Sequence, residues 1–85
     1  MASDQELVEL RTACERWERM EARDFAAIIV MGRRVFPELD VELVRAFEVG
    51  LATVERWARG ISRPLPLIEP LVVRHIHKRA EGEQP

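Results

Sequence analysis

The side chains that offer the most chemistry lie close together, between residues 50 and 64. At helical spacing, one outer face there would carry small, acidic and basic side chains, namely Leu51, Ala52, Glu55, Arg56 and Arg59. A guanidinium group presents a planar fork of donors that fits a guanine edge or a phosphate, and small apolar groups fit thymine methyl groups. The major groove of duplex DNA is about 12 Å wide and admits one helix. This stretch therefore has side chains suited to contacts in that groove.

Catalytic and metal-binding chemistry is poorly supported in the rest of the sequence. His75 and His77 are two residues apart, so on a helix they point in different directions. No cysteine or carboxylate stands at metal-ligand spacing with either histidine. The sequence contains no glycine-rich phosphate loop, nucleophile elbow or catalytic triad. We therefore expect no enzymatic activity, no metal ion and no cofactor.

Length and composition limit the fold that can position these side chains. The chain has 85 residues and a mass of 9.8 kDa, which fits one small domain. Cys14 is the only cysteine, which excludes an intrachain disulfide and favours a cytoplasmic protein. The longest apolar run, residues 25–31, is far shorter than the roughly 20 residues of a membrane helix. We expect no membrane partner.

Every convincing period in the sequence is helical, which predicts an all-α fold of about five short helices. The predicted helices cover residues 4–21, 24–36, 41–48, 52–59 and 67–79, with 80–85 as a frayed polar tail. Ser3 and Glu6 have the spacing of a capping box. Asp24 and Asp40 are suited to cap the second and third helices.

Apolar stripes mark the inner faces of the first and last predicted helices. The first stripe consists of Leu7, Leu10, Cys14 and Trp17, extended by Met20. It has two interpretations, because it can pack on its own domain or form a dimerisation surface. In the first case Cys14 is a small buried residue. The last stripe consists of Ile68, Leu71, Val72, His75 and Ile76.

Residues 43–64 combine two short helices across a tight turn, an arrangement typical of a helix-turn-helix. The segment contains Leu43-Val44, Glu48-Val49-Gly50, Thr53-Val54-Glu55-Arg56-Trp57 and Gly60-Ile61-Ser62-Arg63-Pro64. With these motifs the chain resembles the Cro/phage-repressor class of helix-turn-helix proteins, also called the xenobiotic-response-element class. The resemblance implies a repressor-like core over about 24–79, and the helix predicted over 4–21 is an addition to it. Glu48 and Gly50 depart from the class, which has a glycine and a helix-capping serine there.

The resemblance implies a role for each matching position. Base-edge contacts fall to Leu51, Ala52, Glu55 and Arg56. Phosphate contacts fall to Arg45, Thr53, Arg59 and Arg63. The structural anchors of the motif are Leu43, Val49, Val54, Trp57 and Gly60, and Gly60 is suited to the left-handed conformation that ends a helix. Thr53 is equally suited to cap its helix, Glu55 to orient Arg56, and the arginines to remain solvated surface charges.

The charge distribution supports two hypotheses. The net charge is −2, but residues 45–79 hold seven basic and three acidic residues. This basic segment favours a sequence-specific regulator of transcription that binds double-stranded DNA, as a homodimer on a palindromic operator. Residues 1–40 hold six basic and nine acidic residues, which favours instead an antiactivator or adaptor that binds a larger regulatory protein and no DNA. The charge around Arg56 discriminates between the two.

Overall fold

The computed structural model describes residues 3–82, which form five α-helices and no strand. The helices are α1 (Asp4–Glu18), α2 (Phe25–Val35), α3 (Leu39–Phe47), α4 (Leu51–Ala58) and α5 (Glu69–Glu81). The predicted all-α fold is confirmed. Within residues 3–82, none of the helices is both long enough and apolar enough to cross a membrane.

Side-chain caps set the starts of the first two helices. Ser3 Oγ accepts a hydrogen bond from the Glu6 N–H at 3.1 Å, and the Glu6 carboxylate accepts from the Ser3 N–H at 3.2 Å. Asp24 Oδ1 accepts from the Ala27 N–H at 3.1 Å. The prediction that Asp40 caps α3 is wrong. Because α3 begins at Leu39, two residues earlier than predicted, Asp40 lies in its first turn, where its carboxylate accepts from Arg33 instead.

One core joins all five helices. α1 packs across α5 and α2, while α4 packs on α2 and α3. Gly32 is required where α2 passes α3, because a Cβ atom there would lie 2.6 Å from Leu39 Cδ2. This close approach brings α2 against the first residue of α3.

The apolar stripe of α1 packs inward. Leu10, Cys14 and Trp17 are buried against the rest of the domain, and Leu7 packs at the edge of the core. These side chains are therefore not available as a dimerisation surface, and the first of the two interpretations applies. Burial raises the pKa of the Cys14 thiol to about 12, so this thiol stays protonated and unreactive at neutral pH.

α1 ends three residues earlier than predicted. Met20 has a left-handed φ of 64°. The Met20 N–H donates to the Trp17 carbonyl at 3.1 Å and the Glu21 N–H to the Arg16 carbonyl at 2.8 Å, which is the Schellman pattern of helix ends. Met20 is exposed and does not extend the stripe. Methionine rarely takes the left-handed conformation, so the apolar residue at position 20 predicted a longer helix than the one that forms.

The buried face of α5 is turned relative to the prediction, because α5 packs mainly against α1 and also contacts α2. It consists of Val72, Val73, Ile76, His77 and Ala80. Leu71 is exposed and His75 is half-buried, so both were wrongly assigned to the core. Burial of His77 is compensated by its Nδ1 atom, which lies 2.8 Å from Glu18 Oε1 on α1.

The ends of α5 also differ from the prediction. The helix begins at Glu69 rather than Leu67, so Pro70 lies in the first turn, where its missing N–H is tolerated. The helix continues to Glu81, and Ala80 of the predicted frayed tail is a buried helical residue. Residues 83–85 of that tail lie outside the described residues.

Candidate nucleic-acid interface

The turn between α3 and α4 has the backbone geometry of a tight reversal. Glu48 adopts a left-handed conformation, with φ 54° and ψ 45°, directly after α3. Such a conformation costs a residue with a side chain about 1–2 kcal/mol. Gly50 precedes α4 in an extended conformation and has no side chain with which to cap it. The turn therefore accommodates both residues that differ from the expected motif, Glu48 with backbone strain and Gly50 without a side-chain cap.

The inner face of α4 is anchored in the core. Val54 and Trp57 are buried, and so is Leu43 on the facing side of α3. The Trp57 ring meets Phe25 of α2 edge-to-face, with ring centroids 5.8 Å apart. Val49 is half-buried in the turn. These contacts fix the axis of α4 relative to α2 and α3.

A second Schellman motif ends α4. Gly60 has a left-handed φ of 73°, as its position predicted. The Gly60 N–H donates to the Trp57 carbonyl at 3.2 Å, and the Ile61 N–H to the Arg56 carbonyl at 3.0 Å. The chain then leaves the helix sharply, so that α4 is a short rod of eight residues.

The outer face of α4 brings together the predicted base-contacting side chains. Leu51, Ala52, Glu55 and Arg56 are all exposed. Arg56 donates to the Thr53 hydroxyl at 3.3 Å, so Thr53 does not serve as the cap of α4. Glu55 is held from another direction, by Arg33 of α2.

Arg33 is the residue that the sequence pattern missed. Its guanidinium donates to both carboxylate oxygens of Asp40, at 3.0 and 2.9 Å, and to Glu55 Oε1 at 2.6 Å. The hydrogen bonds that Arg33 donates to Asp40 and then to Glu55 raise the pKa of its guanidinium above the ordinary value. This arginine thus ties α2 to the first turn of α3 and to the middle of α4. Nothing in the local pattern marked it, because the partners are 7 and 22 residues away.

The four predicted phosphate ligands have different surroundings. Arg45 and Arg59 are exposed, and neither forms an ion pair within residues 3–82. Thr53 is half-buried beside Arg56. Arg63 is engaged elsewhere: it donates to both oxygens of the buried Glu69 carboxylate, at 2.9 and 2.5 Å, and to the Arg23 carbonyl at 3.2 Å. These contacts favour a structural role for Arg63.

Within residues 3–82 no group of three or more His, Cys, Asp or Glu side chains is placed to hold a metal ion. No protein-family model matches the chain, and neither a curated protein nor a solved structure matches it.

Proposed function

We propose that the protein binds double-stranded DNA by placing α4 in the major groove, and that it acts as a small regulator of transcription. The proposal rests on one observation, the way in which α4 is held and exposed. Its back is locked by Val54 and Trp57, its front is exposed, and both ends stop sharply, which suits a helix that enters a groove about 12 Å wide. The resemblance of residues 43–64 to the Cro/phage-repressor class supports the same function.

Within this proposal, Arg56 is the principal reader of bases. Its guanidinium is exposed, and the 3.3 Å hydrogen bond to Thr53 is weak enough to be exchanged for two bonds to a guanine edge. Such a bidentate contact is worth about 1–3 kcal/mol of discrimination. Leu51 and Ala52 provide apolar contacts for thymine methyl groups. Glu55, held by Arg33, contributes mainly by fixing the orientation of α4.

Arg45 and Arg59 are the proposed phosphate ligands. Because Arg63 is paired with Glu69, we do not count it among them. Two neutralised phosphates per chain predict that the logarithm of the association constant falls with the logarithm of salt concentration, with a slope of about −2 for one chain on a half-site and about −4 for a homodimer on a palindrome. A slope near zero would argue against binding to the DNA backbone.

One chain of this size reads only a half-site, so the proposal includes a homodimer on a palindromic operator. The described residues measure 31 × 27 × 19 Å. Two copies placed side by side can therefore set their α4 helices about 34 Å apart, the spacing of adjacent major grooves on one face of the duplex.

The test is selection of binding sites from random duplex DNA, followed by anisotropy titrations at several salt concentrations. Arg56→Ala should relax the base preference at one position, by about 10-fold to 100-fold. Arg59→Ala should weaken binding to all sequences and reduce the salt slope by about one. Arg19→Ala removes an exposed arginine from α1 and serves as the charge-matched control. If a folded protein enriches no sequence, the proposal is wrong.

A second candidate function is an antiactivator or adaptor that binds a larger regulatory protein. It is favoured by the ion pairs of Arg74 and Arg79 with carboxylates outside residues 45–79, which leave the surface less basic than the net charge of that segment suggests. Binding to a regulator, together with no affinity for any duplex at low salt, would favour this function. Measurable duplex affinity that depends on Arg56 would exclude it.

A further inference from the structure

One connection of the protein holds large apolar side chains out in solvent. Residues 61–68, here called the apolar loop, join α4 to α5. Leu65 and Leu67 are 73% and 87% exposed, and both Ile61 and the nearby Leu71 of α5 are also exposed. Single exposed apolar residues are normal, but several within one short connection mark an interaction surface.

The apolar loop is held in one conformation before any partner arrives. Arg63 and Glu69 clamp its two ends with two hydrogen bonds, at 2.9 and 2.5 Å. The Leu65 carbonyl accepts from the N–H groups of Ile68 and Glu69, at 2.8 and 2.9 Å. Prolines at positions 64 and 66 restrict the backbone further. A preordered loop loses little conformational entropy on binding, which suits a docking surface.

A groove of about 390 Å³ lies beside the apolar loop. Phe47, Val49, Leu65 and Ile68 contribute to its apolar lining, and its polar lining includes Arg63, which is paired with Glu69. Leu65 therefore belongs both to the exposed patch and to the lining of the groove. An exposed leucine that borders a largely apolar hollow gives this surface both the knob and the hole that pairing of two identical surfaces requires.

The charge of the surface also suits a second copy. Between residues 61 and 73 the charged residues are Arg63 and Glu69, which neutralise each other in their ion pair. Two such surfaces can meet without the like-charge repulsion that opposes self-association. A strongly charged peptide partner would find no complementary field here.

We propose that the apolar loop pairs two copies of the chain about a two-fold axis, with Leu67 of each copy entering the groove of the other. The choice of a second copy rests on the proposed function, because a reader of half-sites needs one. The groove is also lined by Thr53 and Trp57 of α4, whereas Arg56 is not part of its lining. Pairing here would set two recognition helices beside the two-fold axis with their outer faces still exposed.

The expected dimer is weak. The loop, the first turn of α5 and the groove walls provide fewer residues than the 20–30 per side of a standard interface. We therefore expect a dissociation constant in the micromolar range, with pairing strengthened when both copies bind one operator.

Sedimentation of the full chain up to about 1 mM tests the pairing directly. The wild type should pass from monomer to dimer, and Leu67→Asp should raise the dissociation constant at least about 10-fold, because it places a carboxylate in a largely apolar groove whose Arg63 is already paired with Glu69. Val8→Asp, at an exposed apolar position of α1, is the matched control and should dimerise as the wild type does. A wild type that stays monomeric, or a Leu67→Asp variant that pairs equally well, overturns the proposal.

Cross-linking gives a second readout that does not depend on weakening the dimer. Since Cys14 is buried, a cysteine introduced at position 67 is the only reactive thiol. With a flexible bifunctional maleimide, which bridges thiols that do not touch, Leu67→Cys should form cross-linked dimers much faster than Val8→Cys. Equal rates for the two variants overturn the proposal.

DNA titrations separate this inference from the proposed function. A monomeric Leu67→Asp variant that still binds a half-site duplex, but has lost the tighter binding to a palindrome, supports both. Normal pairing of a wild type that binds no duplex would leave the interface standing and overturn the proposed function.

Discussion

The two ends of α4 are held in different ways. At the C-terminal end, Trp57 is buried against Phe25, Gly60 takes the left-handed position without strain, and Arg63 is clamped to Glu69. At the N-terminal end, Glu48 takes a left-handed conformation with a side chain, Gly50 cannot cap the helix, and Leu51 is exposed. At the C-terminal end the residue types suit the backbone conformations that they adopt, whereas at the N-terminal end they do not.

This difference fits a division of labour along the helix. In helix-turn-helix proteins the N-terminal residues of the recognition helix contact base edges. A helix used in this way needs one firmly anchored end to fix its axis and one accessible end for contact. At the N-terminal end of α4, substitution can relieve the backbone strain at Glu48 or supply the missing cap. At the C-terminal end, substitution can only weaken the contacts that hold the helix.

The largest expected effect comes from removing the anchor. Trp57→Ala should lower the free energy of unfolding by about 3–5 kcal/mol, because it leaves a cavity against Phe25. Since domains of this length are stabilised by about 4–13 kcal/mol, much of the variant's stability should be lost. Denaturant titration followed by circular dichroism measures this. Leu51→Ala, at the exposed end, should change stability by less than about 0.5 kcal/mol, and equal losses in the two variants would contradict the comparison.

Gly60→Ala tests the C-terminal turn alone. An added Cβ would lie 3.9 Å from the Ala26 Cβ, an ordinary contact, so the effect is one of backbone conformation. The left-handed position penalises alanine by about 1–2 kcal/mol, partly offset by the lower entropy of the unfolded chain. We expect a net loss of about 1 kcal/mol, which lowers Tm by about 4–8 °C. An unchanged Tm would mean that Gly60 is not needed to end α4.

Glu48→Gly is the mirror experiment at the other end. Relief of the left-handed strain should exceed the entropy that glycine adds to the unfolded chain, giving a gain of about 0.5–1 kcal/mol. Thermal melting should show a Tm raised by a few degrees. As a control, Glu9→Gly in the exposed middle of α1 should lower the stability by a similar amount. A loss of stability in both variants would show that the turn is not strained.

The parts of the fold that could be predicted from the sequence are those set by local chemistry. The cap at Asp24, the capping box at Ser3 and the left-handed stop at Gly60 each depend on residues within one or two turns. The inner face of α4 was also predictable, because Val54 and Trp57 recur at helical spacing. Met20 could not be predicted as a helix end, since a methionine in that conformation is unusual.

The parts that could not be predicted depend on contacts between distant segments. Arg33 reaches Glu55 across 22 positions, and no pattern in either helix marks the pair. The pairing of Arg63 with Glu69 spans only six positions, but it depends on the burial of Glu69, which the loop between them determines. The predicted buried face of α5 was wrong for the same reason, because packing against α1 and α2 determines which side of the helix is buried.

The smallest expected effect concerns the missing cap of α4. A Cβ at position 50 meets nothing within 4 Å, and the extended backbone there suits a serine cap. Gly50→Ser should therefore stabilise the protein by a few tenths of a kcal/mol, because its hydroxyl can accept from an uncapped N–H of the first turn. Gly50→Ala adds the same Cβ without the oxygen, so the difference between the two variants isolates the cap and should be about 0.5–2 kcal/mol. If the serine and alanine variants melt at the same temperature, the N-terminal end of α4 does not lack a cap, and the contrast between the two ends rests on the strain at Glu48 alone.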